Sequence, residues 1–200
     1  MDFRLFEFVN GSLKGHGELA QAAADFSSWS VPLFAVATIG LWLLARPYAS
    51  PRWKLAATSA LASAGLGLLV NQVIGRLWFR ERPFAAHPGS ALLLVHRSRD
   101  PSFPSDHATA AFAIAFAVLA FSFRAGLGFL IAAGLIGVSR VLVGLHYPGD
   151  VVTGAAVGLA CAVVVTTLGR PWIERAVVLL SRASDPALAA VTERLPRPRR

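Results

Sequence analysis

The chain has 200 residues, of which 55% are hydrophobic and only 15% are charged, and its mean hydropathy is +0.57. A soluble domain carries roughly 25% charged residues, so this composition excludes an ordinary water-soluble globular protein and indicates a membrane protein. The net charge of +8 comes mainly from arginines that lie between apolar runs, which favours phosphate groups and anionic lipid headgroups over nucleic acid as partners.

Five uncharged or nearly uncharged runs follow one another along the chain, and each approaches the ~20 residues that a helix needs to cross a bilayer. The runs cover residues 26–45, 55–75, 107–123, 125–145 and 151–169. They predict an all-α fold, a polytopic membrane helix bundle of about five transmembrane helices. The chain is accordingly divided into an N-terminal segment (1–25), a transmembrane domain (26–169) and a basic C-terminal tail (170–200).

The two flanking segments mix apolar and charged residues. Residues 1–25 place Phe3, Phe6 and Val9 at near-helical spacing, which predicts an interfacial helix. The tail alternates apolar clusters with charged residues and is predicted to lie on or below the membrane surface. Neither segment carries a pattern that is typical of a catalytic or binding site.

Basic residues beside the spans predict the orientation of the protein, because cytoplasmic loops of membrane proteins are enriched in lysine and arginine. Three basic regions fall on one side if there are five spans: the turn with Arg46, Arg52 and Lys54, the turn with Arg124, and the tail. We expect that side to be cytoplasmic. Segment 76–106 then faces outward, and its five arginines count against this orientation unless a bound phosphate group or neighbouring acids neutralise them.

Three polar clusters lie at the ends of predicted spans on that outward face. They are segment 76–84 with Arg76 and Arg82, segment 103–107 with Ser105 and His107, and segment 139–150 with Arg140, His146 and Asp150. Ionisable residues near the hydrocarbon core are costly, so they are usually paired or functional. Three such clusters on one face therefore indicate a binding or catalytic site.

His146 and Asp150 flank a Pro-Gly pair that ends one span and begins the next. Pro148 and Gly149 place His146 in a tight turn and Asp150 at the N-cap position of the last span. A carboxylate close to an imidazole fixes its tautomer and stabilises the imidazolium, which leaves the second ring nitrogen free as a nucleophile. The other interpretation is a helix cap beside an interfacial histidine, and the two residues alone do not decide between them.

Ser105 and His107 open the third span. Pro104-Ser105 is a typical helix start, but a helix N-terminus also presents free N–H groups that bind an anion. His107 in the first turn would then donate a proton to a leaving oxygen. Arg82 and Arg140 would bind the oxygens of a phosphoryl group, because guanidinium groups bind phosphate in a bidentate manner.

These clusters resemble the three motifs of the type 2 phosphatidic acid phosphatase superfamily, which are Lys-x6-Arg-Pro, Pro-Ser-Gly-His and Ser-Arg-x5-His-x3-Asp. The second motif is present with Asp106 in place of glycine, and the first keeps Arg82-Pro83. The third motif is the most specific, because four residue types fall at fixed spacings, and it is complete as Ser139, Arg140, His146 and Asp150.

The resemblance implies a mechanism for the site. His146 would attack phosphorus and form a phosphohistidine, with Asp150 orienting the ring. His107 would protonate the leaving group and later activate water. The phosphate would be bound by Arg82, Arg140 and Ser105. The resemblance implies no metal ion and no other cofactor.

One position departs from the family pattern. The lysine of the first motif would fall at Gly75, and the nearest basic residue is Arg76. On a regular helix residue 75 is about 20° out of line with residue 82, whereas residue 76 is about 120° away. We therefore expect Arg76 to bind substrate only if the segment leaves regular helical geometry or if its side chain reaches the site differently.

Asp106 and the stretch from Asp100 to His107 resemble the bacitracin-resistance type of undecaprenyl-diphosphatase. That resemblance implies hydrolysis of undecaprenyl diphosphate to undecaprenyl phosphate and phosphate, at an outward-facing site in a bacterial cytoplasmic membrane. A phosphatase of phosphatidylglycerophosphate, phosphatidic acid or another lipid phosphate fits the same motifs. A lipid transporter without hydrolysis is the alternative of a different class, and it leaves the two histidines without a role.

Overall fold

The computed structural model describes residues 1–43, 45 and 51–194, and this part of the chain is built from helices without strands. Within it, eight helices follow in chain order: α1 (Asp2–Gly11), α2 (Gly17–Leu43), α3 (Arg52–Leu77), α4 (Pro83–Ala86), α5 (Asp106–Phe121), α6 (Phe123–Leu142), α7 (Pro148–Thr167) and α8 (Arg170–Arg194). The predicted all-α fold is confirmed. Arg46 of the predicted basic turn and the Arg/Pro-rich end 195–200 lie outside the described residues.

Four of these helices, α2, α3, α6 and α7, are long and apolar enough to cross a bilayer. α5 is shorter, with 16 residues, and it forms the alanine-rich centre of the bundle, because α3, α6 and α7 all pack against it. Small side chains such as Ala113 and Ala117 let the neighbouring helices approach closely, and both are fully buried. The prediction of a polytopic membrane helix bundle is thereby confirmed, and its shortest predicted span is the most buried one.

The helices extend beyond the uncharged runs that predicted them. α2 begins at Gly17 and not at residue 26, so the polar residues Glu18, Gln21 and Asp25 belong to the same helix as the apolar stretch. An uncharged run identifies only the part of a helix that can lie in the hydrocarbon core. The helix itself extends as far as its backbone hydrogen bonds continue, so it can be longer than the run. A separate short helix, α1, precedes α2, and the turn between them contains Gly15 at a φ of +82°.

Two glycines of α7 set its contact with α5. A Cβ atom on Gly154 would lie 2.8 Å from the Ser105 carbonyl oxygen, and one on Gly158 would lie 2.7 Å from backbone atoms of α5. Only glycine leaves room for so close a helix contact. The Ser105 amide also donates a hydrogen bond to the Asp150 carbonyl oxygen at 3.1 Å. The contact therefore brings the first turn of α5, with His107, next to the turn between α6 and α7.

α8 covers the opposite end of α3. Lys54, in the first turn of α3, forms an ion pair with Asp185 and donates a hydrogen bond to the Ser181 hydroxyl oxygen, 3.2 Å away. Arg52 Nε donates to the Phe121 carbonyl oxygen at 2.6 Å, so the end of α5 also lies here. A helix of 26 residues is roughly 39 Å long at about 1.5 Å per residue. The clusters at the two ends of α3 therefore lie on opposite sides of the bundle.

Candidate active site

His146 lies in the turn between α6 and α7, which a glycine makes possible. Gly144 has a φ of +84°, and a Cβ atom there would lie 2.3 Å from the Leu92 carbonyl oxygen. The turn buries His146 to 2% exposure and places its Nδ1 atom 2.8 Å from the Ser102 carbonyl oxygen. Because a carbonyl oxygen only accepts, Nδ1 carries the hydrogen and donates it. The Nε2 atom then carries no hydrogen, and its lone pair accepts a hydrogen bond from Arg82 Nη1, 3.3 Å away.

Asp150 is fully buried beside the histidine, in the first turn of α7. Its Oδ2 atom accepts hydrogen bonds from the Ser102 hydroxyl group at 2.5 Å and from the Tyr147 amide at 2.9 Å. The distance from Oδ2 to His146 Nδ1 is 3.8 Å, so the direct hydrogen-bond partner of the imidazole is Ser102. Asp150 thus supplies a negative charge near the ring and reaches the imidazole through Ser102.

The prediction that Asp150 is the N-cap of its helix is wrong. α7 begins at Pro148, and Tyr147 is the N-cap residue. Proline is favoured at the start of a helix because it has no N–H group that would need a partner there. Asp150 is therefore the N3 residue of α7, from which its side chain reaches back to the Tyr147 amide.

Burial lowers the pKa of His146 below its ordinary value of 6.5, and burial is the largest influence on this pKa. Asp150 acts in the opposite direction, whereas the positive charges of Arg82 and Arg140 lower the pKa further. The imidazole is consequently neutral at neutral pH. A neutral ring with its Nδ1–H donated to an acceptor and its Nε2 unprotonated is the form that acts as a nucleophile.

Arg82 lies on the free side of the imidazole. It is 9% exposed, and its Nη1 atom lies 3.3 Å from His146 Nε2 and 3.3 Å from the Leu145 carbonyl oxygen. Its Nε atom donates to the Asp100 carbonyl oxygen at 2.9 Å. Carbonyl oxygens hold the guanidinium group in place but leave its positive charge uncancelled, so the charge is available to an anion at this position.

Arg140 projects from α6 and is held by α2. It is 6% exposed, and its Nη1 atom donates to the Ser27 hydroxyl oxygen at 2.6 Å and to the Ser27 carbonyl oxygen at 3.1 Å. Its Nε atom is buried and has no hydrogen-bond partner within the described part of the chain. A buried N–H group without a partner is costly, so a ligand that accepts a hydrogen bond from Arg140 is expected.

A cavity of about 310 Å³ opens in front of these groups. Its lining joins residues from α2, α5, α6, the turn that follows α6 and the segment between α4 and α5, together with Arg82, which precedes α4. It includes His107, Arg140 and His146. The structure therefore brings together four predicted site residues at one polar cavity. Asp150 lies behind His146, on the side away from the cavity. Both residues are hydrogen-bonded to Ser102, Asp150 to its hydroxyl group and His146 to its carbonyl oxygen.

The structure places the other two predicted binding residues elsewhere. Ser105 is fully buried as the N-cap of α5, where its hydroxyl oxygen accepts from the Ala108 amide at 3.5 Å, and it is not part of the cavity lining. Arg76 is exposed near the end of α3 and lines a neighbouring cavity of about 220 Å³. Asp100 and Asp106 line both cavities, so the two cavities share a wall.

The end of α3 explains the position of Arg76. A Cβ atom on Gly75 would lie 3.6 Å from Pro101 Cγ, so residue 75 faces the segment that leads to α5. Arg76 is turned from that direction by about 100° on the helix. α3 ends at Leu77, and Arg82 follows with an extended backbone, so no continuous helix aligns the two arginines.

Four residues that hold the site together carry no role in the sequence-based prediction: Asp2, Ser27, Arg80 and Ser102. Arg80 lies between two carboxylates, with Nη1 2.7 Å from Asp150 Oδ1 and Nη2 2.7 Å from Asp2 Oδ2. Arg80 and Ser102 lie in or beside the polar clusters, so their positions in the chain carry some information. Asp2 and Ser27 are far from every motif. The N-terminal segment, which carries no pattern typical of a site, thus contacts residues behind the cavity through Asp2.

A membrane helix bundle that gathers three histidines (His96, His107 and His146) and two buried arginines around one polar cavity has the features of a phosphoryl-transfer site. The chain belongs to the PAP2 superfamily, whose sequence pattern matches residues 56–173. The match runs from α3 to the start of α8 and includes every residue that lines the cavity except Ser28 of α2. The predicted resemblance to the type 2 phosphatidic acid phosphatases is confirmed.

Proteins similar to this chain include membrane phosphatases. The undecaprenyl-diphosphatase BcrC of Bacillus subtilis is 30% identical over 159 residues, which cover 80% of this chain and 79% of that protein. The bacitracin transport permease protein BcrC of Bacillus licheniformis is 29% identical over 160 residues, which cover 80% and 76%. The crystal structure of LpxE from Aquifex aeolicus shares the fold, with a TM-score of 0.67 and 24% identity, covering 82% of this chain and 93% of that one. The protein is a PAP2-family membrane lipid phosphatase.

Proposed function

We propose that this phosphatase hydrolyses undecaprenyl diphosphate to undecaprenyl phosphate and inorganic phosphate. The observation that carries the proposal is the position of His146: its Nδ1–H is fixed on the Ser102 carbonyl oxygen, and its Nε2 lies 3.3 Å from Arg82 at the cavity wall. An unprotonated imidazole nitrogen beside guanidinium groups is suited to attack a phosphorus atom whose oxygens those groups bind. Similarity to an undecaprenyl-diphosphatase supports the choice of substrate.

In the first half of the proposed reaction, Nε2 of His146 attacks the terminal phosphorus atom, and the bond between that phosphorus and the bridging oxygen breaks. His107, in the first turn of α5, gives a proton to the bridging oxygen, which leaves as part of undecaprenyl phosphate. The terminal phosphoryl group is then bound to His146 as a phosphohistidine. The nearby charge of Asp150 stabilises the positive charge that develops on the ring.

In the second half, a water molecule attacks the phosphohistidine. His107, now neutral, accepts a proton from the water, the bond between phosphorus and nitrogen breaks, and inorganic phosphate leaves. Arg82 and Arg140 donate hydrogen bonds to the phosphoryl oxygens in both halves, where negative charge accumulates. The proposed steps use no metal ion and no other cofactor.

Ser105 and Arg76 have supporting parts in the proposal. Ser105 caps α5, and the free amide groups at a helix N-terminus favour an anion nearby. Arg76 lines the neighbouring cavity, which shares Asp106 with the first, and we assign it to the outer part of the substrate headgroup. Arg82 and Arg140 remain the principal phosphate ligands, since both line the cavity that contains the histidines.

Phosphate release by the purified protein, measured with EDTA present, tests the substrate. Undecaprenyl diphosphate, phosphatidylglycerophosphate and phosphatidic acid would be compared in the same detergent. We expect kcat/KM to be at least roughly tenfold higher for undecaprenyl diphosphate, a difference that one or two specific headgroup contacts supply. A preference for another lipid phosphate would replace the proposed substrate, and no release from any of the three would exclude all of them as substrates.

We propose further that the protein lies in a bacterial cytoplasmic membrane with its site facing outward. Arg52 contacts the end of α5 at the end of the bundle opposite the site, and α8 with its arginines packs against the same end. Arg124 follows α5 and therefore lies there too. Three basic regions on one side support a cytoplasmic location for that side.

Cysteine labelling in intact cells tests this orientation. Ser90 is exposed in the loop after α4, and Ala183 is exposed on α8, so each accepts a cysteine at its own end of the bundle. In a Cys161→Ala background we expect Ser90→Cys to react with a membrane-impermeant maleimide before lysis and Ala183→Cys only after it. The reverse pattern would place the site in the cytoplasm and contradict the outward orientation.

A further inference from the structure

The N-terminal helix α1 precedes the PAP2 match at residues 56–173, yet it is fixed against the site end of the bundle. Phe6 is fully buried and packs against Tyr147, with ring centroids 5.7 Å apart. The Asn10 amide group donates to the carbonyl oxygens of Leu92 and Leu142, both at 2.8 Å, and its oxygen accepts from the Leu92 amide at 2.8 Å. These contacts hold α1 in one place beside the turn that carries His146.

Asp2, the first residue of α1, makes two hydrogen bonds to groups behind the cavity. Its Oδ1 atom accepts from the Gly149 amide at 2.9 Å, at the start of α7. Its Oδ2 atom accepts from Arg80 Nη2 at 2.7 Å. A Cβ atom on Gly149 would lie 2.8 Å from Asp2 Oδ2, so the absence of a side chain at Gly149 leaves the space that the carboxylate occupies.

Arg80 connects Asp2 to the residues behind His146. Its Nη1 atom donates to Asp150 Oδ1 at 2.7 Å, and its guanidinium carbon lies 3.9 Å from the centroid of the Tyr147 ring. Arg80 is about one-third exposed, so this long side chain needs partners to stay in one conformation. Asp2 and Asp150 bind its two terminal nitrogens and so fix the plane of the guanidinium group.

We propose that α1 is a positioning element of the active site, in which Asp2 fixes Arg80 on Asp150 and thereby keeps Ser102 and the His146 imidazole aligned. The contacts form one chain, from Asp2 through Arg80 and Asp150 to the Ser102 hydroxyl group, and the Ser102 carbonyl oxygen holds the imidazole. Asp2 does not line the cavity, so it acts on the reaction only through these residues. The inference rests on the proposed role of His146 as the nucleophile.

A charge-removing substitution tests the contact between Asp2 and Arg80. Asp2→Asn keeps an oxygen that accepts from the Gly149 amide but loses the charged contact with Arg80. With the full chain tagged at its C-terminus, we expect kcat to fall by roughly tenfold and KM to stay within about twofold, because the substrate does not touch Asp2. Glu7→Gln is the matched control, since Glu7 is an exposed carboxylate on the same helix, and its kcat should equal that of the wild type.

A double-mutant cycle distinguishes positioning from plain stabilisation of the fold. If Asp2 acts through Arg80, the Asp2→Asn/Arg80→Gln variant should be no slower than Arg80→Gln alone, with kcat expressed per folded molecule. An unchanged kcat in Asp2→Asn, or losses that multiply in the double variant, would overturn the inference. So would a loss that disappears once the folded fraction, measured by thermal unfolding, is taken into account.

The assay uses the lipid phosphate that the wild type hydrolyses fastest, which keeps this test separate from the test of the proposed function. If the wild type releases phosphate from none of the lipids, the proposed function fails. If the wild type is active and Asp2→Asn matches it, the proposed function stands and only the role of α1 is overturned.

Discussion

The two ends of the bundle both bury positive charge, but they surround it with different partners. At the site end, Arg82 and Arg140 are held by carbonyl oxygens and one hydroxyl group, and Arg140 Nε lacks a partner among the described residues. At the opposite end, Lys54 is buried to 4% exposure and is paired with the carboxylate of Asp185. Burial of a cation does not by itself distinguish the two ends, whereas the groups that surround the buried cations do.

The comparison shows how a buried cation is made structural or functional. A lysine paired with a carboxylate is neutralised, and removing one partner is costly because a lone charge stays in the interior. Neutral oxygens hold a guanidinium group without cancelling its charge, so the charge remains available to a phosphate group. We therefore expect substitutions at the site end to change the reaction and substitutions at the opposite end to change stability.

Removing the nucleophile should give the largest effect. In His146→Ala we expect turnover to fall by more than roughly a thousandfold, because the covalent step has no other nucleophile. The variant should still fold in detergent, with a lowered thermal unfolding temperature, because it loses a buried imidazole and its hydrogen bond to the Ser102 carbonyl oxygen. Phosphate release and thermal unfolding are the two measurements. If the variant kept even about a tenth of wild-type turnover, His146 would not be the nucleophile.

Changing the shape of a cation while keeping its charge should give the next largest effect. Arg140→Lys should lower kcat/KM by about a hundredfold, because an ammonium group cannot replace a guanidinium group that donates several fixed hydrogen bonds. Arg76→Lys is the comparison, since Arg76 is exposed and lines the neighbouring cavity, and its loss should be much smaller. Equal losses in the two variants would contradict the assignment of Arg140 as the principal ligand.

The ion pair at the opposite end should affect stability alone. Lys54→Met removes the buried ion pair between Lys54 and Asp185 and should lower the free energy of unfolding by about 3 kcal/mol, with turnover per folded molecule unchanged. Unfolding in mixed micelles measures the first effect and phosphate release the second. Lower turnover per folded molecule would show that the two ends are coupled.

The pH dependence of the reaction should show the smallest effect. The nucleophile must be neutral, and burial lowers the pKa of His146 below 6.5, so activity should persist as the pH falls below 6.5 and be lost only at lower pH. Asp150 raises this pKa, so Asp150→Asn should move the acid limb of kcat/KM further down, in addition to lowering kcat. An acid limb with its midpoint above pH 6.5 in the wild type would contradict a buried, neutral His146.

The fold and the groups at the cavity were predictable from the sequence because their causes are local. Long uncharged runs predict spans, and fixed spacings bring Arg140, His146 and Asp150 to the junction between α6 and α7. The role of Ser102 was not predictable in this way, because the imidazole binds its carbonyl oxygen, which every residue possesses. The prediction that Asp150 is the helix N-cap was wrong because two residues suit the start of α7. Asp150 and Pro148 are both favoured there, and in the structure Pro148 is the first residue of the helix.

Contacts between distant parts of the chain account for the features of the site that the sequence did not predict. Asp2 and Gly149 are hydrogen-bonded across most of the sequence, and neither residue belongs to a pattern that indicates the other. The position of Arg76, by contrast, was predictable. The spacing between residues 76 and 82 already shows that the two arginines would not align on one helix, and in the structure α3 ends at Leu77, before Arg82. Spacing predicts position only as far as one regular helix extends.

Gly154 and Gly158 also limit how the protein admits a lipid. Because α5 and α7 touch backbone to backbone there, neither helix tilts without losing that contact. We expect His107 and the His146 turn to move as one rigid body, so that any entrance opens by displacement of helices outside this pair. α2, which carries Ser27, is one such helix. Substitutions on the outer face of α2 should then alter which lipids enter while the chemistry at the two histidines stays the same.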